Sequence, residues 1–358
     1  MFAFYLPQYH TIPENDEWWG KGFTEWTNVK KAKPLFHGHK QPVHPLDDNY
    51  YNLLDENTVK WQTGLLHQYK VDGFIYYHYY FEGRLLLEKP DENLLKNKNI
   101  DQPFFFCWAN HSWMRSWEGK STILVEQTYG DEKSWEKHFQ YLLPFFKDKR
   151  YEKKDNKPLF MMFLPYFKEK NEMMLYFDKR CKDEGFAGIS VIDSIQNIYT
   201  KDYEQYKNNI SPVTEYVLLR EPGTGQAIVA HKHNPKNFIK RVKNYLRRKY
   251  GIGRYVYTYS GNEIIKELVK YNNLPQGSFT TLKGLFFNWD NTSRHGYRGY
   301  IIKPISKKSF SLFMDNCSNQ DYVFINAWNE WCEGMMLEPS VEYGYRFLEW
   351  IKEWKENH

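Results

Sequence analysis

Tyr322-Val323-Phe324-Ile325-Asn326-Ala327-Trp328-Asn329-Glu330-Trp331-Cys332-Glu333-Gly334 is the stretch on which the reading of this chain turns. Its first half is a short apolar run, the pattern of a buried strand. The run then stops at a cluster of Trp328, Asn329, Glu330, Trp331 and Glu333. Structural strands rarely end this way, because clustered carboxylates repel one another and lose hydration on burial. Two carboxylates three residues apart, walled by indoles, suit acid/base chemistry on a sugar at the edge of an active site. In a regular strand, residues i and i+3 point to opposite faces. The chain must therefore turn just after Glu330 for both groups to face one pocket, and Gly334 fits such a turn.

Outward from this segment, similar short runs recur along the chain. Candidate strands are Phe2 to Leu6, Gly73 to Tyr77, Phe104 to Trp108, Leu159 to Phe163, Gly188 to Ile192, Tyr255 to Tyr259, Gly284 to Asn288 and Tyr322 to Trp328. Pro212 to Leu219 competes for the sixth place. Between them, Glu56 to Tyr69, Ser134 to Phe146, Asn171 to Cys181, Asn262 to Tyr271 and Tyr343 to Trp354 repeat apolar residues at helical spacing. Alternating β and α segments predict a parallel sheet. Eight strands in 358 residues predict an α/β fold, a (β/α)8 TIM barrel forming one domain over residues 1–358 with extended βα loops.

In such a barrel the site lies at the C-terminal strand ends. Those ends carry Trp18 to Trp26 beyond the first strand, Tyr77-His78-Tyr79 after the second and Trp108-Ala109-Asn110-His111-Ser112-Trp113 after the third. Asp193-Ser194 follow the fifth, and Trp289-Asp290-Asn291-Thr292-Ser293-Arg294 the seventh. So many polar and aromatic clusters at one end predict a shared pocket. Aromatic residues make up 19% of the chain. Most must be core, but the excess suits sugars, whose C–H faces stack on rings while their hydroxyls need polar partners.

Composition narrows the classes. Mean hydropathy is −0.76 and no apolar stretch approaches the ~20 residues of a membrane span. Net charge is +5. The basic residues are scattered, apart from Lys240-Arg241 to Arg247-Arg248-Lys249, which reads as a solvated helix face, with an anionic lipid or polysaccharide contact as the alternative. No nucleic-acid partner is expected. Cys107, Cys181, Cys317 and Cys332 form no CxxC pair and read as reduced thiols. His10, His37, His39 and His44 lack metal-ligand spacing, so no metal is expected. No cofactor is expected either: there is no P-loop, no GxGxxG after a strand, and no Asp-x-Asp to hold a metal-bound sugar nucleotide. The first residues lack a basic region and a small-residue cleavage site, which predicts a cytoplasmic protein, with export of a longer precursor as the alternative. Oligomeric state is not legible.

The chain resembles the WbsX-type family, which is related to glycoside hydrolase family 99. The resemblance rests on Phe4-Tyr5-Leu6-Pro7-Gln8-Tyr9-His10, Glu14 through Val29, Asp72-Gly73-Phe74, Tyr76-Tyr77-His78-Tyr79, Cys107-Trp108-Ala109-Asn110, Trp289-Asp290-Asn291-Thr292 and Asn326 through Gly334. It implies a (β/α)8 barrel acting on an oligosaccharide or polysaccharide. Members of the family are commonly labelled as glycosyltransferases of surface-polysaccharide clusters, while the related hydrolases are retaining endo-α-mannosidases. Those hydrolases are thought to use the substrate's own 2-hydroxyl as nucleophile. By this resemblance Glu333 is the acid/base and Glu330 activates the nucleophile.

Candidate sugar contacts are Tyr5, Trp18, Trp19, Glu25, Tyr77, His78, Trp108, Asn110, Trp113, Asp290, Asn291, Arg294, Trp328 and Asn329. Plainer roles stand beside these. Glu25 could cap the structure that follows it, Asp290 could close an Asp-to-backbone turn, and any single Trp or His could be core. The expected function is a retaining glycoside hydrolase of α-linked sugars. A glycosyltransferase of surface-polysaccharide assembly and a non-catalytic carbohydrate-binding barrel are the alternatives.

Overall fold

The computed structural model describes residues 1–115, 122–232, 235–250, 255–272 and 277–358. Within the helix Pro235–Tyr250, the side chains of residues 235–237, 240, 241, 244, 247 and 248 lie outside that description. The basic run expected to form a solvated face falls on this helix, and its Lys240, Arg241, Arg247 and Arg248 side chains are among those undescribed.

Eight parallel runs close into a barrel. They are β1 (Phe2–Tyr5), β2 (Gly73–Phe81), β3 (Phe104–Trp108), β4 (Lys157–Met162), β5 (Ser190–Ile195), β6 (Thr214–Leu219), β7 (Thr280–Lys283, continued by Leu285–Phe286) and β8 (Phe324–Asn326). Each pairs with its successor, and β8 pairs with β1 at Phe2↔Phe324 and Ala3↔Ile325. The circle closes through β7, whose first part pairs with β6 and whose second part pairs with β8. The change occurs at Gly284. A Cβ there would lie 3.1 Å from the Leu219 carbonyl and 3.2 Å from the Glu221 amide.

One strand differs from expectation. Thr214–Leu219 is the sixth barrel strand, and Tyr257–Ser260 instead joins a small outer sheet with Tyr300–Lys303 and Trp289–Asp290. The physical reason is burial. A barrel strand covered on both faces reads as a continuous apolar run, as Tyr216-Val217-Leu218-Leu219 does. Tyr257-Thr258-Tyr259-Ser260 alternates aromatic and hydroxyl residues and is half exposed.

The period-two alternation of strands sorts the aromatic residues between two layers. Phe2, Phe105 and Phe324 pack ring to ring and plug the lower barrel. Above them Phe4 stacks on Tyr77. On the opposite faces, Tyr5, Tyr76, His78 and Trp108 meet the surrounding helices and loops. The barrel interior is thus apolar at its base and polar at the C-terminal strand ends. No helix among the described residues is long and apolar enough to cross a membrane.

Candidate active site

The chain does turn after Glu330. Asn329–Glu330 pairs antiparallel with Met335–Met336, and Trp331–Glu333 makes one turn of 3-10 helix between them. Side chains at i and i+3 of a 3-10 helix eclipse one another. Glu330 at the start of the turn and Glu333 at its end therefore share a side, and both line a cavity of about 400 Å³. Gly334 ends the turn at φ 62°, ψ 12°, a left-handed conformation open to glycine. A Cβ there would approach the Asp290 Cβ to 3.1 Å.

Strand β1 and the residues beyond it hold the turn from behind. The Asn329 side chain accepts from the Leu6 amide at 2.7 Å and donates to the Leu6 carbonyl at 3.0 Å. Tyr9 donates its hydroxyl proton to the Asn329 carbonyl and accepts from the Trp331 amide at 3.2 Å. Glu338 fixes the two indoles. Its Oε1 accepts from Gln62 at 2.7 Å and Trp328 at 3.0 Å, and its Oε2 accepts from Tyr51 and Trp331, both at 2.7 Å. Burial pushes the Glu338 carboxyl up to about 7, although all four bonds favour its charged form.

Facing the cavity, one guanidinium serves three carboxylates. Arg294 Nη2 lies 2.9 Å from Glu25 and 3.9 Å from Glu330, and Nη1 donates to Glu333 at 3.0 Å. Burial opposes the Arg294 charge, but Glu25, Glu333 and Glu330 outweigh it and hold the group firmly protonated. Burial, with the Glu333 charge second, pushes Glu330 up to about 8. Glu333 is also raised, by burial, with Arg294 pulling it back. Glu330 Oε2 has no hydrogen-bond partner. The turn thus presents two carboxyls raised by burial, Glu333 ion-paired to Arg294 and Glu330 with an oxygen that has no hydrogen-bond partner.

Seven of the expected site residues meet at this cavity: Trp19, Glu25, Tyr77, Trp113, Arg294, Glu330 and Glu333. The other nine are placed elsewhere. Tyr5 faces the helix Glu56–Gln68, donating to Gln62 at 2.8 Å. His78 faces the helix Glu132–Phe146, where its ring nitrogen meets that of His138 at 2.9 Å. Trp108, on the same outward register, donates to the Tyr80 carbonyl at 3.0 Å. These three positions follow from strand alternation. Asn110 bridges the Leu164 amide and carbonyl, both at 2.8 Å. Asp290 accepts from Thr292 and Gln41 and meets His39 Nε2 at 2.8 Å. Asn291 accepts from the Tyr300 amide at 2.9 Å. Trp328 and Asn329 hold the turn from behind, as described. Trp18 stands behind Trp113, with ring centroids 5.7 Å apart.

The cavity also takes in Tyr79 and Trp289, which belong to the strand-end clusters but not to the candidate sugar contacts, and Phe163 and Arg220, which neither set contains. Arg220 carried the same signal that exposed the other clusters, a polar residue directly after an apolar strand. Placing the sixth strand at Tyr255 to Tyr259 hid it. The guanidinium of Arg220 lies over the Phe163 ring, 3.5 Å from its centroid.

Residues 1–351 match the family described as Glycosyltransferase WbsX. Two strains of Xanthomonas campestris pv. campestris carry an "uncharacterized protein WxcX" that is 30% identical over 365 residues. That alignment covers 98% of this chain and 48% of the relative, so the chain spans about half the length of the curated relatives it matches. Among solved structures, a glycoside hydrolase-like protein matches with TM-score 0.58 and 11% identity, over 87% of this chain and 88% of that one. The GH99 endo-alpha-mannosidase of Bacteroides thetaiotaomicron matches with TM-score 0.55 and 11% identity, over 99% and 96%. At that identity the likeness speaks for the barrel fold.

Proposed function

This chain belongs to the WbsX family, and from that premise we propose that it is a retaining glycoside hydrolase that cleaves α-linked sugars of an oligosaccharide or polysaccharide. The observation that carries the reading is the Glu330/Glu333 pair on one turn, sharing a cavity with Arg294 and aromatic walls. Glycoside cleavage needs a proton for the leaving oxygen and a second carboxylate for the attacking group. Two carboxyls raised by burial on one turn, one of them ion-paired to Arg294, supply both and titrate as a unit. Trp19, Tyr77 and Trp113 offer stacking faces in the same cavity. The barrel shared with a GH99 endo-alpha-mannosidase supports the same reaction class.

Within the pair, the closer ion pair of Arg294 with Glu333 favours Glu330 as proton donor, whereas the family resemblance favours Glu333. Substrates with activated aryl leaving groups separate the two: only the variant lacking the donor recovers its first step on them. Incubation with a library of α-linked oligosaccharides should release product, and Glu333→Gln should abolish that release. Full turnover by Glu333→Gln would sink the assignment.

The family's own description favours a second reading, transfer of a sugar during surface-polysaccharide assembly. Calorimetry discriminates, because a transferase binds a nucleotide sugar in this cavity and the hydrolase does not. A third outcome, glycan affinity retained by Glu330→Gln and Glu333→Gln with no turnover on any substrate, marks a binding barrel.

A further inference from the structure

Arg220 is the first residue beyond β6 and forms part of the cavity wall, yet it is only 3% exposed. Its Nη1 and Nη2 are buried and neither has a hydrogen-bond partner. One face of the guanidinium is covered by Phe163, which leaves its in-plane N–H groups as the means of recognition. Among the described residues, no carboxylate forms an ion pair with it, and Arg294 takes up Glu25, Glu330 and Glu333.

The fold does satisfy another buried guanidinium. Arg150, 5% exposed, donates to both oxygens of Asp148 and to the carbonyls of Leu94, Asn97 and Ile100. The contrast matters because a buried charge is ordinarily paired, and leaving one unpaired is costly. A guanidinium fork matches the two oxygens of a carboxylate or phosphate, and does so in a fixed plane. Neutral hydroxyls can accept its protons but bring no compensating charge.

We propose that Arg220 anchors an oxyanion of the substrate, so that the sugar seated beside Glu333 is acidic and carries a carboxylate or a phosphate. This rests on the cavity being a glycan site. It names a substrate class that the carboxylate pair alone does not specify. Arg220 acts here in binding and specificity, and its proximity also favours the charged form of Glu333.

The test is calorimetric titration of the folded protein with a hexose, the matching hexuronate and the matching hexose 6-phosphate. Either acidic ligand should bind at least about tenfold tighter than the neutral one, and rising ionic strength should weaken only the acidic ligands. Whichever anion binds more tightly identifies the source of the charge. Arg220→Gln should erase the preference, and Arg220→Lys should restore part of it; melting curves verify that both variants fold. Equal affinities, no binding by any of the three sugars, or a preference that survives Arg220→Gln each overturn the proposal. A change in the pH profile of turnover without any acidic preference also overturns it, leaving Arg220 as a partner of Glu333 alone. The two readings fail separately. Arg220-dependent acidic preference without glycoside cleavage refutes the hydrolase, and cleavage confined to neutral glycans refutes the anchor.

Discussion

Two carboxyl sites lie within nine residues of each other and are built in opposite ways. Glu338 points into the layer behind the turn and receives four neutral donors, two of them indoles. Glu330 and Glu333 point into the cavity and share one guanidinium with Glu25, leaving an oxygen of Glu330 without a partner. The saturated carboxyl is an anchor, since every proton it could accept is already supplied by the fold. The under-supplied pair has capacity left for a substrate. The direction of the shift alone does not separate these roles, because all three carboxyls are raised, with Glu330 and Glu338 buried and Glu333 partly so. What separates them is the count of donors.

The sharpest way to break this comparison is to remove one carboxylate from each side. Glu330→Gln and Glu333→Gln should each lower kcat by about 10²–10⁴-fold, the span of a lost acid/base group, in initial-rate assays on a cleaved α-linked substrate. Glu338→Ala should act on folding instead. It strands four donors in the core and should cost roughly 3–5 kcal/mol in urea unfolding. If Glu338→Ala unfolds no more easily than Glu333→Gln, the anchor reading fails.

A titration sharpens the same contrast. Glu330 sits near 8 in the folded chain against an ordinary 4.5. Between those values the native state holds a proton that the unfolded chain has released. Stability should therefore fall as pH rises from about 4.5 to about 8, by an amount of order a few kcal/mol. Melting temperatures across that range should show a shallower decline for Glu330→Gln than for the parent protein.

The smallest effects compare two tryptophans. Trp108→Phe loses one buried bond to the Tyr80 carbonyl and should cost about 1 kcal/mol of stability, with KM unchanged. Trp113→Ala removes a cavity wall and should raise KM, with little change in the melting temperature. Steady-state kinetics beside thermal melts would expose a reversal.

Much of the barrel was legible because its strands are short apolar runs. Phe104–Trp108 has the bounds expected, and the turn after Glu330 was required by side-chain geometry before it was observed. The sixth strand was misplaced because Tyr255 to Tyr259 is richer in aromatic residues than Thr214–Leu219, while burial on both faces favours the latter. Site residues were harder to read. Tyr77 and His78 are neighbours in one strand, and only the pleat decides that Tyr77 meets the cavity while His78 meets His138. Glu338, in Met336-Leu337-Glu338-Pro339, has no local signature. Its donors come from Tyr51, Gln62, Trp328 and Trp331, and only the closed barrel brings the first two to it.

The bonds from Leu6 to Asn329 join residues 323 positions apart. At ~5–20 residues per second, ribosomal synthesis separates the two partners by roughly 15–65 s. Throughout that interval the edge of β1 that will receive β8 has no mate, and the cavity has neither of its paired acids. The nascent chain lacks the Glu330/Glu333 turn until that segment has been made. It is also most exposed to stray strand pairing along one named edge, Phe2–Tyr5.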